Sequence, residues 1–248
     1  MKDLFEFYGE YYDLLYEDKD TLRESTYVDF LLKEYGTKIK KILEFGVGTG
    51  RHAKKLIDLG YVVHGIERSE KMSKKLNKII NLKYEVGDIE TINLKNKFDA
   101  ILSLFHVMSY QITNKKVENI FNNANRHLKK GGLFIFDIWY TPAVKKIKPS
   151  VRVKRFNNED FKITRIAEPK EYPELNRIDV CYDFFVEIKN DKKFHKFNEI
   201  HPMRHFSISE IEFFASNNGF RCINVEEWLT KKKPSQNTWG VCFVLEKV

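Results

Sequence analysis

Between residues 41 and 138, short apolar runs alternate with segments in which apolar residues recur at helical spacing. The short runs have the length and composition of buried strands, and the longer segments have the periodicity of amphipathic helices. Because strands that alternate with helices need crossover connections, the strands are expected to be parallel. The pattern predicts strands at 41–45, 61–66, 82–87, 98–104 and 133–138, with helices at 50–59, 69–79 and 114–130 and a turn at Gly131-Gly132.

Two further helices are predicted before this alternation. Apolar residues at helical spacing, from Leu4 to Leu15, indicate an amphipathic helix over residues 4–16. A second helix is predicted over residues 21–35, and Gly36 ends it.

The periodicity changes after Pro142, where apolar and polar residues begin to alternate one by one. Such alternation is typical of a half-buried antiparallel sheet. Ser207 and Glu210 then form the sequence signature of a capping box at the start of a last helix. The predicted strands of this part lie at 151–156, 161–168, 177–188 and 193–203, and two final strands lie at 220–227 and 237–246.

Together the elements predict an α/β fold. We expect a mostly parallel sheet of seven strands with helices on both faces, and an antiparallel β insertion after the fifth strand. The predicted units are an N-terminal and binding core (1–140), the insertion (141–205) and a last helix with two strands that complete the core (206–248). The insertion is placed over the carboxyl ends of the parallel strands, where it covers the substrate, forms a dimer sheet, or does both.

A glycine-rich loop follows the first predicted strand, with Gly46, Gly48 and Gly50 in alternation. Glycines allow a sharp turn and a close approach of the backbone to a ligand, and the next helix offers unpaired N–H groups. A dinucleotide-binding loop requires Gly-x-Gly-x-x-Gly, which this loop lacks. Glu44, two residues before Gly46, would repel a pyrophosphate but suits a ligand with an ammonium group beside a carboxylate. The methionine part of S-adenosyl-L-methionine has this chemistry.

Acidic residues also end the next two predicted strands. A carboxylate at Glu67 can accept hydrogen bonds from two ribose hydroxyls. Asp88 can accept from an adenine amino group while Ile89 packs against the ring. Taken singly, Glu67 also fits an acid at a helix N-terminus, and Asp88 fits a turn residue after Gly87. Their order along one sheet edge favours a ligand-binding crevice.

In these features the chain resembles the class I S-adenosylmethionine-dependent methyltransferases over most of its length. The glycine loop matches the first motif of that family, Glu67 its ribose acid, and Asp88-Ile89 its adenine-contacting pair. The resemblance implies a Rossmann-like fold, S-adenosyl-L-methionine as the cofactor and no metal. The cofactor-binding residues that it implies are Tyr12, Glu44, Gly46, Gly48, Gly50, His52, Glu67, Arg68, Met72, Asp88, Ile89 and Leu104.

A nearer resemblance is to bacterial methyltransferases that act on amino groups of nucleotide-linked deoxysugars. Residues 11–16, 105–110 and 201–207 carry it. It implies that Tyr12 closes over the donor and that His106 or Tyr110 faces the amine. Such enzymes often have an arginine just before the final strand to hold a phosphate, whereas residues 236–240 here read Gln-Asn-Thr-Trp-Gly.

The catalytic candidates are His106 and Tyr110. A histidine with an unperturbed pKa near 6.5 suits a general base at neutral pH, although His106 also fits a structural histidine of the loop. Tyr110 fits a positioning hydroxyl, or a ring that faces the transferring methyl group, better than a base.

Four residues are candidates for contact with the substrate, and two of them have a competing interpretation. Trp139 is either a platform for the acceptor or core at the end of the sheet, and Arg204 either binds an anionic group or pairs with an acid of the insertion. The four residues are Tyr12, Trp139, Tyr140 and Arg204.

Composition narrows the function classes. The chain has 248 residues and a formal charge of +8, but residues 1–40 hold 6 Lys and Arg against 10 Asp and Glu. Neither base-methylation signature, Asn/Asp-Pro-Pro-aromatic or Pro-Cys, follows the fourth strand, so nucleic acid is not the expected partner. No signal peptide and no apolar run of about 20 residues is apparent, which predicts a soluble, cytoplasmic protein without a membrane partner. Three cysteines without Cys-x-x-Cys spacing predict neither a disulfide nor a metal site.

The main hypothesis is a small-molecule N-methyltransferase that acts on an amino sugar or a related amine, with an acceptor that can be anionic. O-methylation of a sugar or a surface-glycan precursor is the alternative within the same class. A regulatory protein that binds S-adenosylmethionine without turnover is the alternative from another class. A homodimer through the insertion is the expected assembly.

Overall fold

The structure is a computed structural model that describes residue 5, residues 7–190 and residues 193–248. Seven α-helices occur in these ranges: α1 (Tyr8–Leu15), α2 (Thr21–Tyr35), α3 (Arg51–Asp58), α4 (Glu70–Leu76), α5 (Asn114–His127), α6 (Thr141–Ile147) and α7 (Ile208–Asn217). The strands are β1 (Lys41–Phe45), β2 (Val62–Glu67), β3 (Lys83–Val86), β4 (Phe98–Ser103), β5 (Leu128–Tyr140), β6 (Arg152–Asn157), β7 (Phe161–Tyr172), β8 (Arg177–Ile188), β9 (Lys193–Phe206), β10 (Phe220–Glu227) and β11 (Gly240–Lys247).

The core sheet confirms the predicted α/β fold. Seven strands run in the order β3-β2-β1-β4-β5-β11-β10, with β3 to β5 parallel and β11 antiparallel to both of its neighbours. The strand order reverses between β1 and β4. In open α/β sheets, ligands bind at the carboxyl ends of the strands where such a reversal occurs.

Helices cover both faces of this sheet, as the sequence predicts. On one face, Phe121 of α5 and Phe214 of α7 pack against Phe134 and Phe136 of β5. On the other face, α2 and α3 pack in a second buried cluster that includes Leu31 and Leu56. The sheet is therefore buried from both sides, and its open edge at the carboxyl ends is free for a ligand.

The antiparallel section after the fifth strand is also confirmed. Strands β6 to β9 form a meander in which each strand pairs with the next. The end of β9 returns to the core, where His205 pairs with Trp139 of β5 in parallel. This joint lies beyond the end of β4, so the meander is attached at the carboxyl edge of the core sheet.

Helix α1 lies between the meander and the core. Its residues Tyr8 and Leu15 share a buried cluster with Ile163 of β7 and Phe184 of β8. On its other side, Gly9 lies next to Met72 of α4. The predicted helix over residues 4–16 is shorter than expected and begins at Tyr8, and Leu4 lies outside the described residues.

Two elements differ from the prediction in the region of β5. Helix α5 ends at His127 and the strand begins at Leu128, although a helix to residue 130 and a turn at the two glycines were expected. The φ angle of Gly131 is +73°, so the strand absorbs the glycine as an irregularity, and its pairing with β4 shifts register there. Helix α6 was not predicted, and it begins with Pro142 in its first turn, where proline is tolerated.

No helix in the described ranges is long and apolar enough to cross a membrane.

Candidate active site

A cavity lies at the carboxyl ends of β1 to β4, where the strand order reverses. It encloses about 1340 Å³ of space not filled by atoms, part of which is open to solvent. Its wall is formed by the loops after these strands, by α1 and by residues of β8 and β9.

The glycine loop after β1 lines the cavity with backbone. Gly46 and Gly48 have φ angles of +69° and +61°, which strain any residue with a side chain. A Cβ on Gly46 would lie 2.7 Å from Val107, and one on Gly48 would lie 3.3 Å from Met72. The two glycines therefore keep the loop against the cavity and leave its surface open to a ligand.

Gly50 has a different role from the other two glycines. Its φ of +81° fits the residue that precedes α3, but a Cβ there would lie 2.3 Å from Ile79 and 2.8 Å from Leu76. The absence of a side chain serves packing, and Gly50 is not among the residues that line the cavity, so its contact with the cofactor stays a prediction.

Glu67 lies at the end of β2 and lines the cavity. Its two carboxylate oxygens accept the N–H groups of Gly48 and Ser69, each at 2.8 Å. Since a carboxylate oxygen can accept more than one hydrogen bond, the Glu67 carboxylate can still accept hydrogen bonds from hydroxyls of a ligand.

Glu44 is almost fully buried at the end of β1 and does not line the cavity. Its Oε2 has no hydrogen-bond partner in the described part of the chain. Burial, with the charge of Glu67 as a smaller cause, raises the pKa of Glu44 to about 8. Direct contact of Glu44 with the cofactor stays a prediction, and a buried carboxyl beside the glycine loop suits a cationic ligand.

The remaining predicted cofactor residues line the cavity together. Asp88 and Ile89 follow β3, and His52 lies in α3, where its Nε2 is 2.7 Å from Glu24 Oε2. The others are Tyr12, Arg68, Met72 and Leu104. The glycine loop, the Glu67 carboxylate and the Asp88-Ile89 pair lie on one cavity wall, as binding of the methionine, ribose and adenine parts of S-adenosylmethionine requires.

His106 lies in the loop after β4 and lines the cavity. It has a φ of +63°, an uncommon conformation for a residue with a side chain. The buried carboxylate of Asp137, in β5, accepts a hydrogen bond from the His106 backbone N–H. Asp137 Oδ2 also lies 2.6 Å from His106 Nδ1, although the two groups are not aligned as in a hydrogen bond. With Nδ1 turned to Asp137, Nε2 is the ring nitrogen left to accept a proton.

Tyr110 also lines the cavity and belongs to a chain of buried polar groups. Its hydroxyl lies 2.9 Å from His201 Nδ1, and His201 Nε2 lies 3.1 Å from Glu199 Oε2. Glu199 also accepts the backbone N–H groups of Phe5, Phe7 and Tyr8. One carboxylate of the meander thus holds the start of α1 and, through His201, orients Tyr110.

Of the four predicted substrate residues, Tyr12 and Trp139 line the cavity, and the Trp139 ring lies 6.0 Å from that of His106. Tyr140 and Arg204 do not. Tyr140 packs against the core cluster of the α5 face, and Arg204 forms an ion pair with Glu210. Arg204 therefore follows the salt-bridge alternative, although its partner belongs to α7 and not to the insertion.

The sequence reasoning missed Asp137, Tyr182 and His201. Asp137 is an acid near the end of a predicted strand, which is the signal that identifies Glu67. Tyr182 and His201 come from the meander and line the cavity only through the pairing of β8 and β9. No local pattern predicts that placement.

Comparison with known proteins agrees with this geometry. Residues 42–132 match the family described as methyltransferase domain. A protein of Geobacillus sp. (strain WCH70), named as a methyltransferase without a specified substrate, is 24% identical over 249 residues, which cover 98% of this chain and 99% of that protein.

Two characterised proteins are also similar over much of the chain. The dTDP-3-amino-3,6-dideoxy-alpha-D-glucopyranose N,N-dimethyltransferase of Streptomyces fradiae is 24% identical over 180 residues, 70% of this chain and 69% of that enzyme. An amino pentose methyltransferase of Micromonospora echinaspora, solved with S-adenosylmethionine bound, has a TM-score of 0.77 at 19% identity and covers 100% of this chain and 99% of that chain. Residues 42–132 are therefore a methyltransferase domain, and the chain as a whole resembles S-adenosylmethionine-dependent methyltransferases, among them amino-sugar N-methyltransferases.

Proposed function

We propose that the enzyme transfers a methyl group to the amino group of a sugar or a related small amine. The observation that carries the proposal is the His106–Asp137 pair at the cavity wall, which provides a base beside the space for an acceptor. The amino-sugar methyltransferase of Streptomyces fradiae supports the choice of acceptor.

An amine needs such a base because its ammonium form has no lone pair to attack a methyl group. S-adenosylmethionine, when bound, supplies an electrophilic methyl group on a positively charged sulfur. The residues of this chain then position the amine and accept the proton that its nitrogen loses. His106 Nε2 takes that proton, and Asp137 stabilises the resulting imidazolium through its contact with Nδ1.

We propose further that residues 141–205 act as a cover for the acceptor. Val180, Tyr182, His201 and Met203, all from this segment, line the same cavity as the glycine loop. Tyr12 and Tyr16 of the α1 region, with ring centroids 4.8 Å apart, add an aromatic wall between the two parts. An acceptor enclosed in this way is kept apart from bulk water.

The test is turnover with matched acceptors, followed by mass spectrometry for the mass of one added methylene unit. The panel contains free and nucleotide-linked amino sugars, each paired with the sugar that has a hydroxyl in place of the amine. We expect methylation of at least one amine and of none of the paired hydroxyl sugars. Methylation of the hydroxyl sugars alone would show the O-methyltransferase alternative to be correct.

Two variants test the base itself. His106→Gln and Asp137→Asn are expected to lower kcat roughly 100-fold or more, as is typical for loss of general-base catalysis, because the amine proton then has no acceptor. Calorimetry should show an unchanged dissociation constant for S-adenosylmethionine in both variants. An equal loss of turnover and donor affinity would mean that the pair serves structure and not proton transfer.

A further inference from the structure

Arg165 is a buried arginine beside the cavity that has no acidic partner in the described residues. It lies in β7 at the same inward-facing spacing as Phe161 and Ile163 and is 7% exposed. Its Nη1 donates to the Tyr8 hydroxyl at 3.1 Å, and its Nε has no partner. A buried charge without a counter-charge is costly, which indicates that something else balances it.

The nearby carboxylates do not supply that balance. Glu199, the buried acid of β9, is occupied by His201 and by three backbone N–H groups. Glu199 is therefore committed to other partners, and the charge of Arg165 has no acidic counter-charge among the described residues.

Two tyrosines connect Arg165 to the cavity. Arginine only donates hydrogen bonds, so the Tyr8 oxygen accepts from it. The Tyr8 and Tyr16 oxygens lie 2.5 Å apart, and either hydroxyl can donate in this pair. Tyr182 also bonds to Tyr8, and Arg165 also bonds to Tyr16. When Tyr8 donates to Tyr16, the Tyr16 hydroxyl can donate to a ligand, because both tyrosines line the cavity.

The direction of these hydrogen bonds, from Arg165 through Tyr8 to Tyr16, favours an anion as the ligand. Each donor is strengthened by the hydrogen bond that its oxygen accepts, and the series begins at a full positive charge. Tyr16 lies edge-on to Phe105, with ring centroids 5.1 Å apart, and Phe105 precedes the proposed base His106. A group bound by Tyr16 is thus held next to the site of methyl transfer.

We propose that Arg165, Tyr8 and Tyr16 form a subsite for a carboxylate group of the methyl acceptor, so that the acceptor is an amine that also carries an acid. One unbalanced guanidinium matches a group with one negative charge, whereas a diphosphate requires more cations. The inference rests on the proposed methylation of a small amine in this cavity, but its test measures binding and not turnover.

The experiment measures dissociation constants by calorimetry or ligand-observed NMR, with S-adenosylhomocysteine present. The probes are glucuronate, glucose 1-phosphate, thymidine diphosphate and, as the neutral reference, glucose. We expect glucuronate to bind at least tenfold more tightly than glucose and more tightly than the two phosphate probes. Equal binding of glucuronate and glucose would overturn the proposal, and preference for thymidine diphosphate would replace the carboxylate by a diphosphate.

Two variants and two controls test whether Tyr16 and Arg165 cause the preference for glucuronate over glucose. Tyr16→Phe removes one hydroxyl, and Arg165→Met removes the charge, so each should reduce the preference for glucuronate to less than threefold. The controls are Tyr11→Phe and Arg155→Met. The Tyr11 ring packs on Phe161 and Phe197, and Arg155 is exposed on β6, so both variants should keep the preference for glucuronate.

The conservative Tyr16→Phe variant keeps the test decisive if Arg165→Met does not fold. A preference that persists in Tyr16→Phe would refute the subsite. Failure of every protein to bind S-adenosylhomocysteine would instead refute the methyltransferase function.

Discussion

At the scale of single residues, the site depends on carboxyl groups whose environments give them different tasks. Glu67 keeps acceptor capacity at the cavity wall, Asp137 orients a histidine, and Glu44 is buried without a hydrogen-bond partner at Oε2. All three end a strand of the core sheet or lie near its carboxyl end. The sheet edge thus gathers carboxyl groups where a cationic donor is expected to bind.

Glu44 leads to a prediction about protons. Since its pKa is about 8, the carboxyl is mostly protonated at pH 7. A ligand with ammonium and sulfonium groups favours the ionised form, so binding of S-adenosylmethionine at pH 7 should release a fraction of a proton. Calorimetry in two buffers with different ionisation enthalpies measures this release.

The matched variant is Glu44→Gln, which keeps the shape of the side chain but cannot ionise. We expect it to bind S-adenosylmethionine about tenfold more weakly and without proton release. The same proton release in the variant and the wild type would assign the proton to another group.

At the scale of elements, three hydrogen bonds that join the start of α1 to the meander end on one carboxylate, that of Glu199. Burial alone would raise the pKa of Glu199, but the hydrogen bonds from His201, Tyr8 and Phe7 outweigh it and lower the pKa. The ionised carboxylate therefore stabilises the folded state above the ordinary pKa of a glutamate, and this contribution is lost as the pH falls through the lowered value.

Glu199→Gln is expected to destabilise the protein by about 2 kcal/mol at pH 7, because charged hydrogen bonds to a buried group are lost. Hydrogen exchange should become faster in residues 7–16 before it changes in the core sheet. The control is Glu187→Gln on the same meander, an exposed residue with a weak ion pair to Lys162. Unchanged exchange in α1 of the Glu199 variant would show that the helix is held by its aromatic packing instead.

The sequence predicts those parts of the site that are local in the chain. The glycine loop and Glu67 are found because an apolar strand, an acid and a turn follow one another within a few residues. The Tyr110–His201 contact joins residues 91 positions apart and depends on how β9 folds back. The Gly131 irregularity is missed for a related reason, since only the pairing of β5 with β4 and β11 shows that the strand passes through it.

At the scale of the whole molecule, several parts meet at Glu24. This buried residue of α2 pairs with Lys19 and His52, both at 2.7 Å, and lies 3.5 Å from Trp228 Nε1. Burial alone would raise the pKa of Glu24, but the hydrogen bond from His52 and the charge of Lys19 outweigh it and lower the pKa to about 2.

We expect the contacts of Glu24 with Lys19 and His52 to stabilise the folded state at neutral pH and to lose this effect in acid. An ordinary glutamate in the unfolded chain has a higher pKa, so the contribution is complete above about pH 5 and is lost as the pH falls toward 2. The difference corresponds to at most about 3 kcal/mol. Urea unfolding between pH 7 and 3 should show a steep loss of stability in the wild type and a shallower one in Glu24→Gln, with the exposed Glu17→Gln as the control. Parallel pH profiles for all three would exclude this role of Glu24.

The predicted homodimer through the insertion stays a prediction. Strand β6 is the outer edge of the meander and exposes Arg152, Lys154 and Arg155, and positive charge on an edge strand disfavours pairing with another edge. A dimer through this segment therefore requires a face of the meander and not its edge.

The most direct measurement of the central claim follows the methyl group itself. S-adenosylmethionine carrying a ¹³C-labelled methyl group is incubated with the enzyme and the amine panel, and carbon NMR identifies the atom to which the label becomes attached. The account predicts a signal of an N-methyl group in the wild type that is almost absent in His106→Gln. A label found only on oxygen, or an N-methyl signal of equal strength in that variant, would contradict it.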